Sequence, residues 1–249
     1  LALPSRKRPG FDPALLHDLL AALEERARVP LDVARSHLIT QCRAGGVLAF
    51  QRALELLRRD EVPAVLVGGI DSYFDPDLLE HLDRELRLHT PSTENGMIPG
   101  EGAAFVLLAR RRRASSLEPL GRVLAAAVED EPHPYGAAEP CLAEGITAAL
   151  RRASAVFGPG ARRVPWALTD VANERHRVEE WMYAFGRNFG AFTPEVIHDQ
   201  PLLKTGDVGA ASAALLTVIA VTQWQTGCAP GDAPCRSEEH TSELQSPLN

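Results

Sequence analysis

An unbroken apolar run, Pro63-Ala-Val-Leu-Val-Gly-Gly-Ile70, constrains the fold of this chain more than any other feature of the sequence. A strand that is apolar on both sides is typical of a sheet covered by helices on both faces, because a solvated face would carry alternating polar residues. A shorter apolar run at residues 37–40 comes first, and residues 47–59 between the two runs have a helical period. This order predicts a β-α-β unit over residues 37–70 in a parallel or mixed sheet.

The alternation of apolar runs and helical periods continues along the chain. Helices are predicted over residues 13–27, 75–88, 142–157, 174–185 and 208–223, and strands over residues 105–108, 121–128 and 166–171. The last of these helices is rich in alanine and almost uncharged, which is typical of a helix buried between two layers. The polar stretch 186–206 shows neither period. The sequence therefore predicts an α/β protein.

Charge and composition exclude several classes of function. The formal net charge is -7, whereas nucleic-acid-binding proteins usually carry a basic face. We interpret the four arginines at residues 110–113 as the solvated end of a strand. No stretch approaches the ~18 continuous apolar residues of a membrane-spanning helix, and no secretion signal is visible. We therefore expect a cytoplasmic protein that binds neither nucleic acid nor membrane.

The cysteines and the two ends of the sequence add further expectations. Four cysteines show no spacing of a zinc site, so we expect no metal, no cofactor and no disulfide. The sequence begins inside a Pro/Arg-rich stretch, and residues 236–249 lack any periodic apolar face and resemble the translation of a sequencing adapter. We expect residues 236–249 to be a non-native tail and the chain to be a fragment that is incomplete at both ends.

Short motifs carry a family resemblance. In chain order they are Cys42-Arg-Ala-Gly-Gly, Val65-Leu-Val-Gly-Gly-Ile-Asp-Ser72, Met97-Ile-Pro-Gly-Glu-Gly-Ala-Ala-Phe-Val-Leu-Leu108 and Lys204-Thr-Gly-Asp-Val-Gly-Ala-Ala-Ser212. With them the chain resembles the β-ketoacyl synthases (3-oxoacyl-acyl-carrier-protein synthases) of the thiolase-like superfamily. The resemblance implies a layered αβαβα fold, with the end of the first half at residues 1–108 and most of the second half at residues 109–235.

The resemblance also implies that Cys42 is the nucleophile. A thiol at the start of a helix meets the helix dipole and free amide groups, which favour the thiolate and can form an oxyanion hole. The other interpretation of Cys42 is a small buried thiol in a turn, since free cysteine behaves as a small apolar residue.

The family usually supplies two histidines, or a histidine and an asparagine, that polarise the malonyl carbonyl, and the corresponding positions here differ. Residues 168–174 stand where the first histidine motif belongs and contain Asp170, whereas Asp207 takes the place of the second histidine. The candidate catalytic residues are thus Cys42, Asp170 and Asp207. His176 and His198 are weaker substitutes, and Lys204 is too close to Asp207 to take the role of the family's lysine.

A polar patch around Asp170 leaves a further choice open. Asn173, Glu174 and Arg177 follow it at a predicted strand-to-helix junction, which Asp207 should face if the fold is as implied. They either form part of an alternative polar site, or Asn173 caps the helix, Glu174 lies in its first turn and Arg177 is solvated.

Functions from different classes remain open. The first is a β-ketoacyl-synthase-like acyltransferase of fatty-acid or polyketide-type synthesis, with the acyl chain carried on Cys42. The second is a non-catalytic partner subunit that resembles a chain-length factor and lacks the catalytic histidines. A third, weaker reading is another acyl transfer or a hydrolysis by the acidic residues. The resemblance implies acyl carrier protein or acyl-coenzyme A as partner, and a homodimer or a heterodimer with a ketosynthase.

Overall fold

The computed structural model describes residues 1–110, 118–158 and 163–230, and the backbone of two short strands nearer the C-terminus. The helices are α1 (Leu15–Ala27), α2 (Cys42–Arg58), α3 (Pro76–Arg84), α4 (Glu144–Ser154), α5 (Arg175–Arg187), α6 (Leu202–Thr205) and α7 (Ser212–Gln225). The strands are β1 (Ala64–Ser72), β2 (Glu101–Ala109), β3 (Arg122–Val123), β4 (Val164–Leu168), β5 (Phe192–Asp199), β6 (Cys235–Ser237) and β7 (Ser242–Gln245). Short 3-10 helices lie at Val33–Arg35, Ala155–Phe157, Phe189–Ala191 and Gly209–Ala211.

The strands form two sheets, one in each half of the chain. In the first, β1 and β2 pair antiparallel, with Leu66 opposite Leu107. Ala2 extends this sheet through single parallel bridges to Ile39 and Gly69. The second sheet has the order β3-β7-β6-β4-β5, in which β4 and β5 run parallel. Both parallel and antiparallel strand pairs are present. Of the two predicted alternatives, a parallel sheet or a mixed sheet, the structure has the mixed one.

Helix α7 lies between the two sheets and explains why its sequence has no polar face. On one side its Ala213 joins an apolar cluster with Phe50 of α2 and Val67 of β1. On the other side its Leu216 packs with Trp166 of β4. A helix that contacts a layer on each side must be apolar all round.

The opposite face of β4 is covered by α4 and α5. Leu150 of α4, Val164 of β4 and Trp181 of α5 share one cluster with Phe192 of β5. The order of layers is therefore sheet, central helices, sheet, outer helices, which is four of the five layers of the αβαβα arrangement that the resemblance implies. Leu66 of β1 and Leu107 of β2 are exposed on the outer face of the first sheet, so the prediction that helices cover both faces of β1 is wrong there over the described residues.

Several element boundaries differ from the prediction. The run at residues 37–40 makes only the bridge at Ile39, and the strand predicted over residues 121–128 is reduced to Arg122–Val123. Helix α3 stops at Arg84 because Leu86 takes a left-handed conformation with φ 54. Residues 186–206, which show no period, contain both β5 and α6.

Two sequence expectations concern segments that are described only in part. Arg110 pairs with Asp60 at 3.0 Å, whereas residues 111–113 of the arginine run lie outside the described residues. Within residues 236–249 the backbone of β7 and part of β6 is described, and the non-native origin of this tail stays a prediction. No helix over the described residues is both long and apolar enough to cross a membrane.

The two halves meet without intervening space. A Cβ atom on Gly69 of β1 would lie 2.1 Å from the carbonyl oxygen of Ala210, and one on Gly46 of α2 would lie 2.7 Å from the Cβ of Ala213. Asp71 of β1 accepts a hydrogen bond from the amide of Ala210 at 2.9 Å. These contacts seat the 3-10 helix Gly209–Ala211 directly on β1.

Candidate active site

Cys42 is the first residue of α2. Gln41 precedes it as the N-cap residue, and Cys42 itself has a left-handed backbone with φ 52, an uncommon conformation for a residue that carries a Cβ. Its side chain is partly buried and forms no disulfide. Its amide donates a hydrogen bond to the carbonyl oxygen of Leu3 at 3.1 Å. The thiol thus stands at a helix N-terminus, as the sequence predicts, and the Cys42 amide is already engaged.

Asp170 and Asp207 are brought together by two arginines. Arg177 Nη2 lies 3.0 Å from Asp170 Oδ1, and Arg177 Nη1 lies 3.9 Å from Asp207 Oδ2. The Arg43 guanidinium contacts Asp207 Oδ2 directly and lies 4.0 Å from Asp170 Oδ2. We call these four side chains the ion quartet. Asp207 therefore faces the junction around Asp170, in agreement with the sequence-based expectation.

The ion quartet is almost completely removed from water. The exposed fractions of the side chains are 17% for Arg43, 4% for Arg177, 2% for Asp170 and 0% for Asp207. Two guanidinium charges balance two carboxylates, and buried charges of one sign would be very costly without such partners. Arg177 lies in α5 and is buried, so the interpretation of Arg177 as a solvated side chain is wrong.

Burial and the neighbouring side chains shift the pKa of Arg43 in opposite directions. Burial lowers the pKa of Arg43, and the nearby Tyr73, Cys42 and Asp170 raise it, so the net shift is upward. Arg43 therefore stays charged. Burial also raises the pKa of Tyr73 to about 12, so its hydroxyl is protonated at neutral pH.

A second ion pair lies beside the quartet. Arg87 donates two hydrogen bonds to Glu174, from Nε at 2.8 Å and from Nη2 at 3.2 Å. Burial raises the pKa of Glu174, but the hydrogen bonds and charge of Arg87 outweigh burial and the net shift is downward. Glu174 is therefore ionised at neutral pH, and its pair with Arg87 lies next to the quartet without belonging to it.

Asn173 holds the neighbouring loop and does not cap the helix through its side chain. Its amide group donates to the carbonyl oxygens of Glu94 at 2.7 Å and Gly96 at 3.0 Å. The N-cap position of α5 belongs to Glu174, without a side-chain cap bond. The predicted cap by Asn173 is wrong, because the side chain finds backbone acceptors in the loop before β2.

The two histidines named as substitutes have other contacts. His176 stacks on Tyr135 with ring centroids 3.9 Å apart, and burial together with Arg177 lowers its pKa to about 4 despite the opposite effect of Glu174. His198 accepts a hydrogen bond from Trp181 Nε1 at 3.3 Å within an aromatic cluster. Lys204 is exposed on α6. None of these three side chains joins the ion quartet through a hydrogen bond or ion pair described in the structure.

Sequence reasoning missed Arg43 and Arg87. Arg43 stands in the first turn of α2, where a charged residue is ordinarily solvated, and its partner Asp207 lies 164 residues away. The available signal was a cation, Arg43, next to the candidate nucleophile, together with an acid, Asp207, in place of the histidine. Arg87 follows α3 and offered no comparable signal.

Comparison with known proteins supports the family resemblance over part of the chain. Residues 35–114 match the family model of the β-ketoacyl synthase N-terminal domain. Over these residues the chain is similar to the β-ketoacyl synthases. The matched segment contains Cys42 and the two glycine-containing motifs that follow it. No curated protein matches the sequence.

Solved ketosynthases share the fold. A type II polyketide synthase acyl-carrier protein in complex with its ketosynthase matches with a TM-score of 0.70 at 12% identity, over 92% of this chain and 66% of that chain. The ishigamide ketosynthase/chain length factor matches with a TM-score of 0.61 at 19% identity, over 91% of this chain and 60% of that chain.

A third ketosynthase, from module 6 of the bacillaene synthase of Bacillus subtilis 168, gives a TM-score of 0.68 at 12% identity, over 100% of this chain and 47% of that chain. The chain therefore has the expected thiolase-like fold and spans about half to two thirds of the length of these ketosynthases.

Proposed function

We propose that this chain acts in polyketide- or fatty-acid-type chain assembly as a ketosynthase-like acyltransferase that accepts an acyl group on Cys42. The observation that carries the proposal is the position of Cys42, a partly buried free thiol at the first residue of α2 inside the segment that matches the ketosynthase family. The helix dipole and the adjacent Arg43 both favour negative charge at this place.

The transfer itself needs no cofactor. The Cys42 sulfur attacks the carbonyl carbon of a donor thioester, a carbon–sulfur bond forms, and the bond to the donor sulfur breaks. The donor leaves as a free thiol that carries the proton released by Cys42. An acyl carrier protein or acyl-coenzyme A is the donor. We place the chain in the cytoplasm, as a homodimer or as a heterodimer with a ketosynthase.

Condensation with a malonyl unit makes a further demand on the site. The malonyl carbonyl must be polarised by a hydrogen-bond donor, whereas Asp170 and Asp207 are carboxylate partners of arginines in ion pairs, and a carboxylate accepts hydrogen bonds. The guanidinium groups of Arg43 and Arg177 are donors, but both are engaged by these carboxylates. Acyl capture therefore fits the site better than condensation does.

The same observations favour a second candidate, a non-catalytic partner subunit that resembles a chain-length factor. The Cys42 amide donates to Leu3 and is not free to hold an oxyanion. The ion quartet fills the region around Asp170 and Asp207 with balanced charge. A subunit that needs only the fold and a dimer surface tolerates both features.

Mass spectrometry separates the two candidates. The folded full chain is incubated with acyl-carrier-protein and acyl-coenzyme-A donors, and adducts are located by intact mass and peptide mapping. We expect a single acyl group on the peptide that contains Cys42, which Cys42→Ala removes. Cys228→Ser is the matched control, because Cys228 is an exposed free thiol outside the site. A folded chain without any adduct at Cys42 overturns the acyltransferase and leaves the partner subunit.

A further inference from the structure

The backbone of Cys42 is held in an unfavourable conformation. At φ 52 the Cβ atom crowds the backbone, and such residues persist only where the surrounding structure fixes them. The strain is a property of the backbone at residue 42 and is present whether or not the thiol reacts. Something on each side of Cys42 must therefore hold the chain.

The chain is held on both sides of Cys42, by a hydrogen bond and by an ion pair. On the upstream side, the Cys42 amide donates to Leu3 at 3.1 Å. On the downstream side, the next residue, Arg43, extends into the second half of the molecule and ion-pairs with Asp207. Its Nη2 atom also lies 4.0 Å from the sulfur of Met97. The residue after the thiol is thus tied to a different half of the fold.

Asp207, the partner of Arg43 in this ion pair, is itself held by hydrogen bonds. Its amide donates to the carbonyl oxygen of Ile98 at 2.7 Å, and its Oδ1 atom accepts from the amide of Gly209 at 2.8 Å. Its side chain is fully buried. Arg177 lies 3.9 Å away and balances the remaining charge of the quartet. Both the backbone and the carboxylate of Asp207 therefore have partners other than Arg43 that hold them in place.

We infer that Arg43 and Asp207 are positioning residues that hold the strained Cys42 backbone, and with it the thiol, in one orientation. The Arg43–Asp207 pair couples the start of α2 in the first half to the segment before α7 in the second half. The inference builds on the proposed role of Cys42, but its content is the placement of the thiol and not the acyl transfer.

Fluorine NMR of a small label on Cys42 tests the inference. The parent chain has the other three cysteines replaced by serine, and Cys42 is alkylated with bromotrifluoroacetone. We expect one resonance in the parent. Arg43→Gln and Asp207→Asn should give additional or exchange-broadened resonances, because the backbone at residue 42 is released. Arg43→Lys, which keeps the charge, should restore most of the single-resonance intensity.

Arg87→Gln is the matched control. It breaks an ion pair of similar geometry with Glu174, but it is not adjacent to Cys42 in sequence, and the single resonance should remain. Circular dichroism and thermal unfolding establish that each variant is folded. A single unchanged resonance in folded Arg43→Gln, the same splitting in Arg87→Gln, or loss of folding in both Arg43→Gln and Asp207→Asn would each overturn the positioning role.

The acylation rate gives an independent second measurement. If Cys42 accepts acyl groups, Arg43→Gln should slow acylation roughly tenfold or more, since small displacements of a reacting group are costly, and Arg43→Lys should recover most of the rate. A parent that shows one resonance but no acylation overturns the proposed function and leaves the positioning role intact. An unchanged acylation rate in Arg43→Gln overturns the positioning role alone.

Discussion

The two halves of the molecule carry different parts of the candidate site. The first half supplies Cys42 at the start of α2, within the segment that matches the family. The second half supplies Asp170 and Asp207, which stand in the sequence where the resemblance places the histidine motifs. Asp170 pairs with Arg177 of the same half, and Asp207 pairs with Arg43 of the first half. The backbone framework of a site and its acid-base chemistry can therefore diverge separately, so the fold alone does not establish condensation.

The sharpest test of this contrast is removal of the buried acid in the second half. Asp207→Ala leaves Arg43 and Arg177 with a single carboxylate, Asp170, and should lower the free energy of unfolding by about 3–5 kcal/mol, as expected for a broken buried ion pair. Urea denaturation followed by circular dichroism measures this change.

The matched control is Glu80→Ala on α3, which breaks an exposed pair with Arg84 at 2.6 Å. Exposed pairs of this kind contribute only about 0.3–0.5 kcal/mol. If Asp207→Ala costs no more than Glu80→Ala, the ion quartet does not stabilise the contact between the halves.

A smaller effect is expected where the halves meet without charges. In Gly69→Ala the new methyl group would collide with the backbone of Ala210, and overpacking of this kind should cost about 2 kcal/mol in unfolding free energy. Gly186→Ala near the end of α5 is the control, because nothing lies within 4 Å of its Cβ position. That variant should be stabilised by up to about 1 kcal/mol through helix propensity. Equal stabilities of the two variants would contradict the close contact.

The smallest effect concerns the pH dependence of the Arg87–Glu174 pair. The pKa of Glu174 in the folded chain lies below its ordinary value of 4.5, so its contribution is present above that pH and is lost as the pH falls through the folded-state pKa. Glu174→Gln should cost about 1 kcal/mol at pH 7, and the difference from the parent should shrink below pH 4.5. Denaturation curves at pH 7, 5 and 3.5 measure it, and a difference that grows toward acid would contradict the assignment.

Much of the fold follows from apolar periodicity. The apolar strand β1, the amphipathic helices and the uncharged α7 are all predicted at nearly their observed places, because each buries at least one face that the sequence displays. Strand β5 is missed because it lies at the edge of its sheet and carries the exposed residues Pro194, Glu195 and Ile197, which interrupt any alternation. The shortening of β3 also depends on pairing that is not local.

The candidate site is predicted only in part. Cys42, Asp170 and Asp207 follow from the family motifs, but their joint burial with Arg43 and Arg177 does not. A lone arginine on a helix indicates a solvated side chain, and only the fold brings Arg43 to a carboxylate 164 residues away. Pairing of buried charges is a property of the tertiary structure, and local patterns cannot show it.

Gly46 and Gly69 bring α2 and β1 of the first half into direct contact with the segment around Ala210 in the second half. Repetition of similar layers therefore does not make the halves independent bodies. A first half that ends at residue 108 would lack the backbone around Ala210 on which β1 and α2 pack. In the remaining piece, α7 would lose the apolar contacts on one of its two sides. The chain should accordingly melt as a single cooperative unit, and a hinge between its halves is not an available route for regulating Cys42.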